Sequence, residues 1–571
     1  MSRRVKSRHP VRNAIVLLCF MGGLVLLAAR AVYLQVLSSD FLQSQGNARH
    51  LRLVKDNSHR GMILDRNGSP LAVSTPVDSV WAHPPTLAEE RGKWPRLAAL
   101  LGMSTRDLSR LLRKHDAREF MYLKRHVTPA LAERVMALKI PGVDLTREYR
   151  RYYPLGAVAG HVVGFTNVDD QGQEGVELAY DSWLRAIPGA KRLLRDRQGT
   201  AVEVTESVVL PKPGTDLVLS IDRRIQYLAY RELKAAVMEH QASAGSAIVL
   251  DARTGEVLAL VNEPDFNPNN RAGLDSSTFR NRAVTDLFEP GSTLKPFTIA
   301  CALDSGKFAS GSVIDTTPGV LQVGDRTIRD VHNYGVLTVA GVIEKSSNVG
   351  ASKIALALNK KSIWEMLRNV GFGQSTGLQL PGEVPGLLNP PSSWIPIEQA
   401  SISFGYGISV TPIQLAHAYL ALANDGKALP VTLRLAETVA PGDRVISAKT
   451  ARQLQSMLEL AVSDVGTGKA AQVADYRVAG KTGTVRKLTA SGYSEEKYVA
   501  WFAGFAPASS PRLVMVVAVD EPTRGGYFGG EVAAPVFGRV MTGALRLLDV
   551  APDAPRQSQR LMTVKSEQVA E

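Results

Sequence analysis

The 571-residue chain has only two cysteines, Cys19 and Cys301. One falls in an apolar N-terminal run and the other in an apolar run far along the chain, so no disulfide is expected. A chain of this length can rely on its core instead, and lacking a disulfide does not exclude an oxidising compartment. Zinc-ligand spacings and recognisable nucleic-acid modules are also missing. Bulk disorder is excluded by composition, with 45% of residues hydrophobic and 21% charged. Acid is missing from the basic start, where Arg3, Arg4, Lys6, Arg8 and Arg12 stand alone. All charge is missing from Ala14 to Ala29.

That uncharged stretch is shorter than the roughly 20 residues of a membrane span. Apolar character resumes past Arg30, which can snorkel, through Ala31 to Leu37. Residues 14–37 therefore read as a transmembrane anchor, and no clear cleavage site followed by a polar start marks them as a removed signal peptide. The basic residues 1–13 then stay cytoplasmic, and everything after about residue 38 lies outside. Part of the formal net charge of +13 is this topological signal, and the rest is spread along the chain. The length predicts two or three domains. A Pro-Lys-Pro-Gly linker, Pro211 to Gly214, separates a region 38–215 from a region 216–549, and the polar tail 550–571 reads as disordered.

Within 38–215, His59 to Gly68 reads as a strand-like piece ending in an Asn-Gly turn. Leu97–Lys114 and Pro129–Leu138 have helical periodicity, and Arg147–Gly164 ends in a glycine-punctuated apolar stretch that reads as a strand. The acids of Gly172-Gln173-Glu174-Gly175-Val176-Glu177 read as solvated or salt-bridged turn charges, since no nucleophile or metal ligand accompanies them. Beyond the linker, Leu217–Ile221 is an expected strand and Asp222 an expected helix cap. Ala247–Asp251 and Glu256–Leu260 read as a hairpin, Val339–Leu358 and Ile413–Asn424 as helices. Val478–Thr484, Val499–Ala506 and Leu513–Val519 read as strands. Helices clustered between strand groups predict an α+β class, an antiparallel sheet flanked by helices.

The chemistry starts at Glu289-Pro290-Gly291-Ser292-Thr293-Leu294-Lys295-Pro296-Phe297. Ser292 and Lys295 stand three apart before an apolar helix, which puts hydroxyl and amine on one face. Pro296 is tolerated in a first turn. A serine at a helix start also gains free N–H groups for a developing oxyanion. One Ser-x-x-Lys is a weak signal. A second, Ser494/Lys497, lies in a charged loop and reads as chance. Gly373-Gln374-Ser375-Thr376-Gly377 matches a nucleophile elbow, but a helical segment precedes it where a strand is needed. Two further elements strengthen the first pair: Ser346-Ser347-Asn348 supplies a hydroxyl and an amide, and Lys481-Thr482-Gly483 supplies a cation, a hydroxyl and a bare position where a substrate backbone can lie flat.

With these three motifs in order, the chain resembles the class B penicillin-binding proteins, specifically septal peptidoglycan D,D-transpeptidases of the FtsI type. The likeness extends to the anchor, Arg60-Gly61 to Gly68, Arg151–Gly164, Gly172–Glu177, Tyr406 in Gly405-Tyr406-Gly407, and Tyr527-Phe528-Gly529-Gly530. It departs in one place: Thr482 stands where many close relatives have serine. The resemblance implies a single transmembrane helix, an elongated non-catalytic pedestal or dimerisation-type module, and a penicillin-binding transpeptidase domain. It implies Ser292 as nucleophile, Lys295 as its base, Ser346 as proton relay, Asn348 as a peptide contact and Lys481 as electrostatic support. Thr482, Gly483, Thr484, Tyr406, Tyr527 and Phe528 would bind substrate, with the backbone N–H groups of Ser292 and Thr484 as oxyanion hole. No cofactor or metal is implied. The implied partners are D-Ala-D-Ala stem peptides with an amine acceptor, β-lactams, a membrane glycan polymerase of the shape-elongation-division-sporulation type and other division proteins, but no nucleic acid. The implied location is the inner (cytoplasmic) membrane, with a periplasmic catalytic domain. A β-lactamase or D,D-carboxypeptidase would share the catalytic parts, and a conditionally used paralogue would share nearly all of the chain.

Overall fold

The structure, a computed structural model, describes residues 10–39, 51–195, 201–489 and 492–554. It is a mixed α+β protein whose chain packs as two units. One comprises Met1–His59, Thr75–Arg150 and Ala186–Gly214, and the other Arg60–Ser74, Arg151–Arg185 and Thr215–Glu571. The units thus interleave along the chain and do not follow a single break at residue 215. The expected tail is packed at its start, where Val550 O accepts from Tyr476 Oη at 2.6 Å and Ala554 N donates to Asp475 O at 3.1 Å. Residues 555–571, and the basic residues before Pro10, lie outside the described residues.

In the first unit, an α-helix over Pro10–Val32 continues as a wider turn through Tyr33–Leu37. Val11–Leu37 is long and apolar enough to cross a membrane. Its large apolar side chains, among them Leu18, Phe20 and Leu26, are exposed, as suits a helix whose covering is lipid. The rest of this unit contains an antiparallel three-stranded sheet of Leu51–Asp56, Gly189–Arg195 and Ala201–Val209. It also contains a small core of Val80, Leu97, Leu108, Met121 and Val135. The helical reading of 97–114 splits in two, Trp94–Leu101 and Thr105–Lys114. Gly102 takes a left-handed cap, and Ser104 Oγ then accepts from Asp107 N to start afresh.

The second unit is built on five antiparallel strands: β1 (Ala244–Asp251), β2 (Val257–Glu263), β3 (Ala479–Thr489), β4 (Gly492–Ala506) and β5 (Leu513–Asp520). Their order across the sheet is β2-β1-β5-β4-β3. Both faces are covered, so β1 and β5 are buried throughout and read as unbroken apolar runs. Strand alternation divides the residues between two cores. Met515, Val517 and Val519 join Ile225, Leu233 and Phe537 from α1 (Arg223–Glu239) and the C-terminal helix Ala534–Leu547. Val514, Val516 and Ala518 join Phe297, Ile413 and Tyr419 from α2 (Lys295–Asp304) and α3 (Pro412–Ala423). Asp222 caps α1 as expected, but only Leu217–Val218 of the preceding run forms a strand.

One local reading is overturned here and another is narrowed. The apolar stretch after Tyr152 is helical, with a tight turn over Gly156–Ala159 and a helix over Gly160–Val163. Its glycines mark close approaches: a Cβ on Gly160 would lie 2.5 Å from Phe266 O, and one on Gly164 would lie 1.8 Å from Glu174 O. Of the two readings of Glu177, solvated or salt-bridged, the salt-bridged one holds. Glu177 is fully buried and pairs with Arg60 at 2.7 Å and Arg151 at 2.6 Å, while Asp181 takes the other side of Arg60 at 2.7 Å. Its partners lie far away in sequence, so a local reading left open which side chains pair with it.

Candidate active site

Ser292 sits in a short 3-10 turn, Gly291–Leu294, that runs directly into α2, with Pro296 in the first turn of the helix. The turn is pressed against β3 by glycines. A Cβ on Gly291 would lie 2.4 Å from Val485 Cγ2, and one on Gly405 would lie 2.1 Å from Gly291 O. Gly483 belongs to the same contact: a Cβ there would lie 3.0 Å from Pro290 O and 3.0 Å from Thr293 Cγ2. Its bare side therefore faces the Ser292 turn, and the expected role of clearing space for a substrate backbone is corrected accordingly.

Lys295 is fully buried beneath Ser292. Its Nζ lies 2.8 Å from Ser292 Oγ, 2.6 Å from Ser346 O, 3.1 Å from Ser346 Oγ and 2.8 Å from Asn348 Oδ1. Two of these four oxygens, the Ser346 carbonyl and the Asn348 amide oxygen, can only accept. A neutral amine has two hydrogens and one lone pair. Giving the hydrogens to those two acceptors leaves the lone pair for a hydroxyl, and Ser292 is the nearer one. Burial, and then the charge of Lys481, hold the Lys295 pKa well below that of an ordinary lysine, with Asp330 opposing them. Burial pushes Lys481 itself down to about 7.

The segment Val339–Leu358 is not one helix. It breaks between Val339–Glu344 and Asn348–Leu356. Ser346 occupies the break at φ +61°, a conformation that costs a non-glycine residue energy and that brings its carbonyl to Lys295. The new helix start is held by Asp330, which sequence reasoning missed. Its carboxylate accepts from Ser347 Oγ at 2.5 Å, Asn348 N at 2.5 Å and Val349 N at 3.0 Å. Asp330 is seventeen residues from Ser347, and no local pattern signals such a pairing.

On β3, Lys481 Nζ lies 3.2 Å from Thr482 O. Thr482 Oγ1 shares a hydrogen bond of 2.7 Å with Thr467 Oγ1, and Thr484 Oγ1 accepts from Gly529 N at 2.9 Å. Thr467 was another residue without a local signal. Aromatic rings border the site: Tyr406 lies 5.6 Å from Tyr493, and Tyr527 stacks on Tyr498 at 4.1 Å and abuts Phe528 at 4.5 Å. Glu289 ties the Tyr406 loop to β4, accepting from Gly407 N at 2.7 Å and Tyr493 Oη at 2.9 Å. Together they enclose a cleft of about 1690 Å³. Ser292, Ser346, Asn348, Thr482, Thr484, Tyr406, Tyr527 and Phe528 reach its wall, whereas Lys295, Lys481 and Gly483 lie behind it.

The competing serines are elsewhere. Ser494 lies on β4 and accepts from the Lys497 backbone, while Lys497 Nζ pairs with Glu521 at 2.9 Å. Ser375 sits between two turn glycines, Gly373 at φ +72° and Gly377 at φ +82°, and its Oγ accepts from Gly377 N.

Comparison with known proteins identifies the family. Residues 245–542 match the family described as the penicillin binding protein transpeptidase domain, and residues 55–219 match the penicillin-binding protein dimerisation domain. The chain is 42% identical to the peptidoglycan D,D-transpeptidase FtsI of Escherichia coli K12 over 95% of its length and 93% of that protein. It is 42% identical to the probable peptidoglycan D,D-transpeptidase PbpC of Pseudomonas aeruginosa over 96% of its length and 97% of that protein. Among solved structures, the transpeptidase domain of Burkholderia pseudomallei penicillin-binding protein 3 matches at 46% identity and a TM-score of 0.55, covering 59% of this chain and 98% of that one. A peptidoglycan synthetase from Bifidobacterium adolescentis matches at 26% identity and a TM-score of 0.70, covering 89% of this chain and 98% of that one.

Proposed function

The chain belongs to the penicillin-binding protein transpeptidases of the FtsI type, and from that premise we propose that it crosslinks peptidoglycan at the division septum through an acyl-enzyme on Ser292. It is a membrane-anchored, penicillin-binding serine transpeptidase, and its ligands are peptidoglycan stem peptides and β-lactams.

In the proposed reaction, Ser292 Oγ attacks the carbonyl of the penultimate D-Ala of a stem peptide. Lys295, neutral in its buried site, takes the serine proton. The amide bond to the terminal D-Ala breaks, and Ser346 passes a proton to the departing amine. The backbone N–H groups of Ser292 and Thr484 hold the oxyanion. Thr482 and Thr484 hold the terminal carboxylate, Asn348 positions the donor peptide while fixing Lys295, and Lys481 orders the network electrostatically. Tyr406, Tyr527 and Phe528 provide the apolar walls. An amine of a neighbouring stem then attacks the ester, releases Ser292 and forms the crosslink. A β-lactam enters by the same first step.

The observation that carries this reading is the lone-pair accounting at Lys295: two obligatory acceptors take its hydrogens and leave Ser292 to donate. The test is incubation with labelled penicillin followed by intact mass measurement and peptide mapping. A stable adduct on the Ser292 peptide, lost in Ser292→Ala, is expected. An adduct that survives that substitution would overturn the assignment, and one that hydrolyses quickly would mark a β-lactamase.

The proposed location is the inner membrane, with a cytoplasmic N-terminus and a periplasmic catalytic domain. The proposed partners are a membrane glycan polymerase of the shape-elongation-division-sporulation type and other division proteins. Support comes from the basic N-terminus before the apolar helix and from the likeness to FtsI. Depletion followed by imaging tests the division role. Filamentation is expected, and normal septation would point to a conditionally used paralogue.

A further inference from the structure

The cleft is larger than its catalytic wall requires. Its volume of about 1690 Å³ exceeds the roughly 300–1,000 Å³ of a small-molecule site. Part of its lining is Arg326–Arg329, the second strand of a two-stranded antiparallel ribbon with Val320–Val323. Arg326 and Arg329 both border the cleft and are both exposed. Neither is ion-paired among the described residues, and Asp325 at the ribbon turn pairs with neither. By contrast, Lys345 and Lys469, also on the cleft wall, are paired with Glu344 at 2.9 Å and Asp464 at 3.1 Å.

The ribbon is fastened to the catalytic residues. Arg329 O accepts from Asn348 Nδ2 at 3.2 Å, Asp330 N donates to Gly319 O at 2.9 Å, and the Asp330 carboxylate holds the start of the Asn348 helix. The two guanidiniums are therefore carried on an element whose place is set by the turn that supplies Ser346 and Asn348. A guanidinium stays charged at any working pH and matches a carboxylate with two parallel hydrogen bonds. In a cleft with low-dielectric walls, such unpaired charge concentrates anionic ligands.

We propose that Arg326 and Arg329 form a carboxylate subsite that selects peptides bearing an acidic group away from their D-Ala-D-Ala end. This inference rests on the transpeptidase reading above, in which Thr482 and Thr484 take the terminal carboxylate. The ribbon therefore recognises a second carboxylate, on either the donor or the acceptor peptide. No bond is made or broken there, so the effect is on selection among substrates.

The test uses the full chain in detergent micelles and two synthetic D-Ala-D-Ala pentapeptides. One carries a free carboxylate at its second residue, and the other has the same group as an amide. In the donor arm, acylation of Ser292 is followed by intact mass. In the acceptor arm, the same pair, each with a free side-chain amine, competes to resolve an acyl-enzyme made from a neutral donor. The wild-type protein is expected to prefer the acidic peptide about tenfold in one arm, which identifies the stem that is read. In R326Q/R329Q the preference should fall to about one, and R326K/R329K should restore part of it. Equal rates for the two peptides in both wild-type arms would overturn the proposal, as would an undiminished preference in R326Q/R329Q, or an equal loss with both peptides. Penicillin labelling of the wild-type protein separates the two levels. An adduct on Ser292 without acidic preference sinks the subsite alone, and no adduct sinks the transpeptidase reading beneath it.

Discussion

Replacing Gly405 by alanine tests how tightly the nucleophile turn is held. Gly405 has φ +85°, and an added Cβ would lie 2.1 Å from Gly291 O and 2.4 Å from Gly291 N, one residue before Ser292. Gly377 is a matched control: its φ is +82°, and nothing lies within 4 Å of its added Cβ. The left-handed conformation costs alanine about 1–2 kcal/mol at either position. Lost freedom in the unfolded chain returns about 0.4–1 kcal/mol. Gly377→Ala should therefore cost about 1 kcal/mol or less. Gly405→Ala adds an overpacking cost of about 1–3 kcal/mol, for a total of about 2–4. In a domain of several hundred residues each kcal/mol moves Tm by about 1–2 °C. The expected losses are thus about 2–8 °C for Gly405→Ala and about 2 °C or less for Gly377→Ala. The functional contrast should be larger, since displacing a reacting group by 1 Å costs about 100-fold. Thermal unfolding and the second-order rate of acylation by a fluorescent penicillin measure both. Equal behaviour of the two variants would refute the claim that Gly405 and Gly291 clamp the turn.

Four further outcomes follow from the site and its support. Acylation should rise with pH as Lys295 loses its proton, and be lost below that pKa, because only the neutral amine accepts from Ser292. Lys481→Gln removes one of the causes holding that pKa down, so the acidic limb of the pH–rate profile should move to higher pH; an unmoved limb would exclude the coupling. Asp330→Ala leaves Ser347 Oγ, Asn348 N and Val349 N without their acceptor, which should cost about 1–3 kcal/mol by chemical denaturation and slow acylation. Glu177→Gln leaves Arg151 buried beside an uncharged partner and Arg60 with Asp181 alone, and a loss of about 3–5 kcal/mol is expected. Penicillin acylation by the folded fraction of that variant should continue, which separates support of the fold from catalysis.

What the sequence revealed, and what it hid, divides by range. Ser292 and Lys295 are three residues apart, and helical geometry alone puts their functional groups together. The strands β1 and β5, and β4 from Val499 on, were legible because burial on both faces leaves nearly continuous apolar runs; the mostly exposed first half of β4, Gly492–Tyr498, was misread as a charged loop. The Asp330 cap, the Thr467–Thr482 bond and the Glu289 clasp join residues that meet only after folding, so no local pattern announced them. The break at Ser346 was hidden because apolar periodicity resumes at Val349 as though the helix had continued. The orientation of Gly483 was equally hidden: a sequence shows a missing side chain, but not which neighbour fills the space. The helical stretch ending at Gly164 was misread because three glycines, Gly156, Gly160 and Gly164, and small apolar residues fit a strand as readily as a helix until Phe266 and Glu174 are in place.

The central claim is that Ser292 carries an acyl group that an amine, and not water, removes. It is tested most directly by following the purified full chain with a D-Ala-D-Ala stem donor and an amine-bearing acceptor, reading the enzyme and the peptides by mass in the same reaction. A transient donor adduct on the Ser292 peptide, one D-Ala released per turnover and a crosslinked dimer as the main product are expected, and none of these in Ser292→Ala. Donor trimmed by one D-Ala as the main product, or dimer formed by Ser292→Ala, would contradict it.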